Sequence, residues 1–328
     1  MLLQEIKIEG FRSLKSVTWK PGRLNVLIGP NGGGKSNLLS ALDLLRVAAT
    51  GGLRDAILRM GGMAPLVWDG TARKMVFTLR LSDENTTWEH NLELIRLGVS
   101  GDFEASFYGP SLDPEIGMWS IHRYMRVDED AELRKAAVTR SEKHVSPDGQ
   151  NLIAVLHTLY ESHPEFETFV DDAMEAAFPD DYKKLSFPPA EDGRTQMRIR
   201  RKHRKRDDSA SDLSDGTLRF LLLLAILGNP DPAPLIAIDE PETGLHPRML
   251  PIIGAIAANC AAKSQIIFNT HSPQFLDAFE DEIPTTTVAT WNGSETILKT
   301  LAGEELKRWV ENYSLGKFAF SGEAELAS

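Results

Sequence analysis

The stretch LNVLIGPNGGGKSNLL, Leu24 to Leu39, decides the fold class of this chain. Leu24 to Ile28 reads as a mostly apolar strand, the glycine run follows at once, and Leu38, Leu39, Leu42 and Leu45 then recur at helical spacing. Gly29-Pro30-Asn31-Gly32-Gly33-Gly34-Lys35-Ser36 matches the phosphate-loop pattern at every fixed position, and strand–loop–helix is the context that pattern requires. Glycines allow backbone N–H groups to turn toward phosphate oxygens, and the start of the helix adds a favourable dipole. Lys35 is expected to bridge the β- and γ-phosphates of ATP and Ser36 to place its hydroxyl on Mg²⁺, with Asn31, Gly32, Gly33, Gly34 and Asn37 completing the cradle.

A second half-site lies about 200 residues further on, in IDEPETGLHP (Ile238 to Pro247). Asp239 and Glu240 close the apolar strand Leu235-Ile236-Ala237-Ile238. The first acid can hold Mg²⁺ from the strand beside the phosphate loop, and the second can polarise an attacking water. Alone, two acids could be a solvated strand end; coupled to the loop, they specify ATP hydrolysis.

Around these motifs the chain divides into residues 1–72 with the phosphate loop, 73–210 as an inserted strand-and-helix lobe, and 211–328 with the second half-site. Strand-like runs cover Leu3 to Ile8, Lys74 to Leu81, Thr87 to Leu97 and Phe103 to Tyr108. A polar connection runs to about Pro147, and Asn151 to Phe178 reads as helix broken at His163-Pro164. Further helices are expected over Leu218 to Leu227 and Arg248 to Ala262, a buried strand over Gln265 to Phe268, and a hairpin around Asn292-Gly293. No sustained heptad pattern is present.

Net charge is −11, so the whole chain offers no attraction to nucleic acid or acidic membrane. The exception is Arg194 to Arg206, with eight Lys or Arg and no acid. A solvated hairpin or loop, contact with DNA phosphates, and docking on an acidic partner or the chain's own acidic surface all fit it. It lacks interleaved aromatics, which argues against stacking on single strands. The single cysteine, Cys260, fits a reducing cytoplasm, and Glu5 and Glu9 interrupt what a leader would need. The longest apolar run, Phe220 to Leu227, is far short of the ~20 residues of a membrane helix. A cytoplasmic protein is the expectation.

The two half-sites together resemble the ATP-binding-cassette heads of the SMC, RecF and OLD proteins. SDGTLRFLLLLAIL, DEPETGLHP, NTHSPQFLD and the terminal WVENYSLGKF look like a bacterial "predicted ATPase" group among them. The resemblance implies an α/β P-loop NTPase fold: a mixed sheet core, an antiparallel β-lobe and an inserted, mainly helical subdomain. Leu213-Ser214-Asp215-Gly216-Thr217 resembles the LSGGQ signature, which in that family caps a partner's nucleotide through residues matching Ser214 and Gly216; Asp215 and Thr217 depart from it. Ser–x–Gly at a helix start is equally an ordinary N-cap. His271 stands where the family has its switch histidine, His246 where it has its D-loop, and Arg12 resembles an arginine directed at the nucleotide. The Q-loop glutamine has no clear counterpart: Gln150 and Gln196 lack the right context, leaving Trp68 or a neighbour within Gly61 to Gly70.

By resemblance the expected partner is a second copy of the chain, in a homodimer sandwiching two ATP molecules between heads. The wider clan acts in DNA repair, chromosome upkeep and phage defence, often beside a nuclease. Only 57 residues follow His271, too few for the Toprim nuclease of OLD proteins, so a separate effector is expected. An ATP-dependent scaffold or sensor is the alternative, and the nucleotide-binding subunit of a transporter a more distant one.

Overall fold

A computed structural model describes residues 1–83, 86–98, 102–108, 112–279 and 283–314. Its centre is a six-stranded sheet in the order β16-β15-β3-β14-β13-β7. These strands are β3 (Leu24–Ile28), β7 (Ser120–His122), β13 (Leu235–Asp239), β14 (Gln265–Thr270), β15 (Thr285–Trp291) and β16 (Thr296–Leu301). All pair in parallel except the β15–β16 hairpin, which turns at the expected Asn292-Gly293.

Both faces of this sheet's centre are covered, which explains why β3, β13 and β14 are largely apolar and buried. Side chains alternate between two cores. Val26, Ile236, Ile238, Ile266 and Phe268 face one, shared with α4 (Leu152–Ser162), α5 (Pro164–Ala177), α6 (Asp215–Leu227) and α7 (Leu250–Cys260). Leu27, Leu235, Ala237 and Ile267 face the other, beneath α1 (Lys35–Ala49) and the β-lobe. Within α6, Leu221 to Leu224 are fully buried, each contributing roughly 1.5–3 kcal/mol relative to exposure. Two short helices, α2 (Leu53–Arg59) and α3 (Pro114–Gly117), pack on α1.

The β-lobe is a five-stranded antiparallel sheet, β2-β1-β4-β5-β6, formed by β1 (Leu2–Phe11), β2 (Leu14–Trp19), β4 (Lys74–Ser82), β5 (Thr87–Leu97) and β6 (Asp102–Tyr108). Strand β1 pairs along most of its length with β4, so a division at 72/73 passes between hydrogen-bonded strands. Buried Gln265 fastens this lobe to the central sheet: its side chain accepts from Leu3 N (2.9 Å) and donates to Leu3 O (3.0 Å) and Gly22 O (2.7 Å).

The remaining strands are small. β9 (Tyr182–Ser186), β11 (Arg198–Arg201) and β12 (Asp208–Ser209) form one sheet, and β8 (Ala137–Val138) with β10 (Arg194–Thr195) another. Helix α8 (Gly303–Ser314) follows β16, and the last four residues of the terminal stretch WVENYSLGKF lie outside the described residues. The structure differs from the sequence reading in one consequential place. The segment read as a polar connection to about Pro147 contains β7, which extends the central sheet beside β13. Three residues carry no readable period, and their pairing partner is more than a hundred positions away.

Candidate nucleotide site

The parallel strands β3, β13 and β14 end side by side, so the segments that follow them meet at one sheet edge. Ligands of open α/β sheets bind at such carboxyl ends. After β3 comes the glycine loop, with Gly32 and Gly34 at positive φ (82° and 96°). A side chain at Gly34 would run into Thr296, and one at Gly33 into the carbonyl of Ala289, because the β15–β16 hairpin lies against the loop. Lys35 is buried, and its Nζ donates to the carbonyls of Gly29 (2.7 Å) and Pro30 (3.1 Å). Burial holds its pKa below the usual lysine value, opposed by the charges of Asp239, Glu240 and Glu242.

Asn269, at the end of β14, joins the two half-sites. Its Nδ2 donates to Ser36 Oγ (3.4 Å) and to Asp239 Oδ1, while its own Oδ1 is buried without a hydrogen-bond partner. Asp239 is raised above the ordinary carboxylate range, chiefly by burial; the Asn269 bond and the charges of Arg123 and Lys35 pull the other way. Glu240 adopts a left-handed backbone (φ 49°), a conformation costing about 1–3 kcal/mol outside glycine. Its N–H donates to Asn269 O (2.7 Å), Thr243 Oγ1 donates to its Oε2 (3.3 Å), and its Oε1 lies 3.1 Å from His271 Nδ1. The strained residue is thus held from three sides.

Arg12 also has positive φ (48°). Its N–H donates to Leu66 O (2.8 Å), and its guanidinium reaches Asn37 Oδ1 (3.4 Å) and Ser40 Oγ (3.2 Å) on α1. Ser13 ties the same turn to Asn37 (2.7 Å) and Thr296 (2.7 Å). Arg12, Lys35, Ser36, Asn37, Asp239, Glu240 and His271 therefore converge, while Asn31 and Gly32 form the exposed tip of the loop.

The bonds of Ser214 run within its own helix. Its Oγ caps α6 by accepting from Thr217 N (3.2 Å) and lies 2.9 Å from Thr217 Oγ1. Gly216 packs so closely on the Gly244 carbonyl that a side chain there would collide. Arg134, only 8 % exposed, donates to the carbonyls of Val127 (2.9 Å) and Leu213 (2.7 Å) and pairs with Asp215. The acid that departs from the signature pattern is thus the anchor of its loop. His246 Nδ1 accepts from Arg248 N (3.3 Å), capping the turn after the second half-site.

Three residues escaped the sequence reading. Glu242 is raised by burial; its Oε1 accepts from Thr270 Oγ1, and its Oε2 is buried without a partner. The repeated acid in DEPE was the available signal. Asn269 stood in plain view two residues before His271. Arg123 had no signal, because β7 was not legible. Neither glutamine considered for the Q-loop bonds to the loop: Gln150 binds Glu132 N (2.7 Å) and Arg126 O (2.9 Å), and Gln196 binds Arg198 (3.0 Å). Trp68 stacks under Lys15 (4.9 Å) on the Arg12 side.

A buried amine, a helix-start hydroxyl, one desolvated carboxylate and a second, half-exposed carboxylate beside an imidazole form a donor set suited to a triphosphate and a hard cation. Among the described residues no three His, Cys, Asp or Glu cluster as a metal cage. Mg²⁺ uses one or two protein oxygens and takes the rest from phosphates and water, and Ser36 and Asp239 are placed to offer them.

A family model described as "AAA domain, putative AbiEii toxin, Type IV TA system" matches residues 24–277. The chain belongs to this family. As an AAA domain of this kind it is an ABC-type ATPase head of the SMC, RecF and OLD clan. It is 21% identical over 324 residues to an OLD nuclease of Thermus scotoductus, covering 84% of this chain and 60% of that protein. With the Old nuclease of Escherichia phage P2 it shares 24% over 336 residues, covering 84% and 57%. The domain thus spans somewhat more than half the length of these curated relatives. In fold it is similar to an Smc head bound to the C-winged helix domain of ScpA, with a TM-score of 0.66 at 13% identity, covering 94% of this chain and 100% of that one. No helix among the described residues is long and apolar enough to cross a membrane.

Proposed function

We propose that the protein binds Mg²⁺–ATP and hydrolyses it between two heads of a homodimer, as the motor or switch of a DNA-related or phage-defence system working with a nuclease or other effector. The observation that carries this reading is Asn269, whose amide spans Ser36 and Asp239 and so merges the two half-sites. Lys35 and the loop amides bind the β- and γ-phosphates, Ser36 and Asp239 hold the cation, and Arg12, from the turn after β1, braces the start of α1 behind the loop. When bound, Mg²⁺ neutralises charge on the phosphate oxygens. Glu240 orients the water and takes its proton, and His271 fixes the Glu240 carboxylate. Ser214 and Gly216, presented at the start of α6, cap the partner's nucleotide, and His246 lies at the contact between heads.

The similarity to nucleases supports the DNA-related part of the reading, and cytoplasmic action accords with it.

Glu240→Gln tests the proposal. It should bind ATP, lose hydrolysis by about 10²–10⁴-fold, and shift to dimers in size-exclusion chromatography with ATP. Monomers only, at concentrations where nucleotide is bound, would exclude the head-to-head arrangement. Lys35→Ala should abolish ATP binding; unchanged turnover would remove the site assignment. Turnover that is slow in the wild type and unmoved by DNA would favour the scaffold or sensor.

A further inference from the structure

Strand β7 ends at His122, which pairs with Ile238 of β13. The next residue of each strand, Arg123 and Asp239, therefore emerges at the same sheet edge. Arg123 carries a buried Nε with no hydrogen-bond partner, and leaving such a donor unsatisfied is destabilising. Its charge also reaches Arg12, where it adds to burial in holding the guanidinium below the usual arginine range. Arg123 thus stands beside Asp239 at the sheet edge and within electrostatic reach of Arg12, which is bonded to Asn37 and Ser40 of α1.

Two arginines within electrostatic reach repel, and a fold retains them together where an anion completes both. On the ATP reading the γ-phosphate stands where Glu240 orients its water, and that is the sheet edge, beside Asp239, at which Arg123 emerges. Resting on the ATP reading given above, we infer that Arg123 is a specificity-determining residue that contacts the terminal phosphoryl group and distinguishes ATP from ADP. A structural role, bracing Asp239 alone, would affect both nucleotides alike.

Equilibrium binding of fluorescent ATP and ADP to the full chain with Mg²⁺ separates these roles. Arg123→Ala should weaken ATP about tenfold or more, the size of one charge-assisted hydrogen bond, and leave ADP within about twofold. Arg123→Lys, which keeps the charge without the planar fork, should fall between. Equal loss of both nucleotides, or unchanged ATP affinity, would overturn the inference. Should Arg123→Ala fail to give a cooperative melt, an unchanged ATP-to-ADP ratio in Arg123→Lys overturns it equally. Lys35→Ala distinguishes the underlying reading: if it binds both nucleotides like wild type, the ATP site itself is wrong and Arg123 falls with it. If Lys35→Ala loses both and Arg123→Ala shows no split, only the role of Arg123 is lost.

Discussion

The Glu240 carboxylate lies 3.1 Å from Nδ1 of His271, across two neighbouring parallel strands whose ends are 31 residues apart in sequence. Glu240 is in the left-handed region while making this contact, so the imidazole helps hold a conformation the backbone alone disfavours. His271→Ala should lower turnover by about 10²-fold with ATP affinity changed far less. His271→Gln, which can donate to Oε1, should recover part of the loss. Steady-state phosphate release beside equilibrium ATP binding checks the split.

Glu242 offers a test of burial. Its carboxyl is raised above the ordinary value because desolvation outweighs the Thr270 bond. A raised acid binds its proton more tightly when folded, so its contribution to stability falls as pH rises from about 4.5, the unfolded value, through the folded one. Glu242→Gln should therefore melt progressively higher than wild type as pH is raised through that window, with the gap constant above it. Melting curves without nucleotide or Mg²⁺, from pH 4 to 8, measure the gap.

Arg134 and Asp215 predict a defect confined to assembly. The arginine fixes the Leu213 carbonyl and the Asp215 carboxylate, and hence the loop proposed to reach a partner. Arg134→Ala should leave ATP binding by the monomer within about twofold while reducing ATP-driven dimerisation of the Glu240→Gln background by about tenfold, as loss of a charged hydrogen bond would. Sedimentation with and without ATP reads the dimer fraction.

The basic segment should prove structural. Five of its eight cations meet acids of the same chain: Arg200 with Asp207, Arg201 with Asp181 and Asp208, Lys202 with Glu175, Arg204 with Asp208, and Arg206 with Asp212. Arg201 is 16 % exposed and bridges two elements, whereas Arg206 is 83 % exposed. Arg201→Ala should destabilise by about 1–3 kcal/mol and Arg206→Ala by at most about 1 kcal/mol in urea titrations. Replacing Arg200, Arg201 and Arg204 by Glu should change stability more than affinity for duplex DNA; a large, salt-dependent loss of DNA binding would restore the nucleic-acid reading.

Much of the fold was legible because its central strands and helices carry strong local signals. The glycine loop at Gly29 to Ser36 opens α1 as expected, the break at His163-Pro164 divides α4 from α5, and Asn292-Gly293 turns the β15–β16 hairpin. A phosphate loop is a local motif, and an apolar strand ending in two acids is another. What lay beyond reach was pairing between distant segments. The β-lobe joins β1 to β4 across the drawn boundary, and the fate of the Arg200 to Arg206 charges depended on acids that only the chain path brings close.

By itself, then, the sequence determined which residues could serve a triphosphate: Lys35, Ser36, Asp239, Glu240 and His271 are set by residue type and local context. The tertiary structure decided how they act together. Asn269 links Ser36 to Asp239 only because β14 lies between β3 and β13, and Arg123 arrives beside them only because three residues of β7 extend that sheet. Hydrogen bonds between parallel strands are set by register, which no window of neighbouring residues encodes.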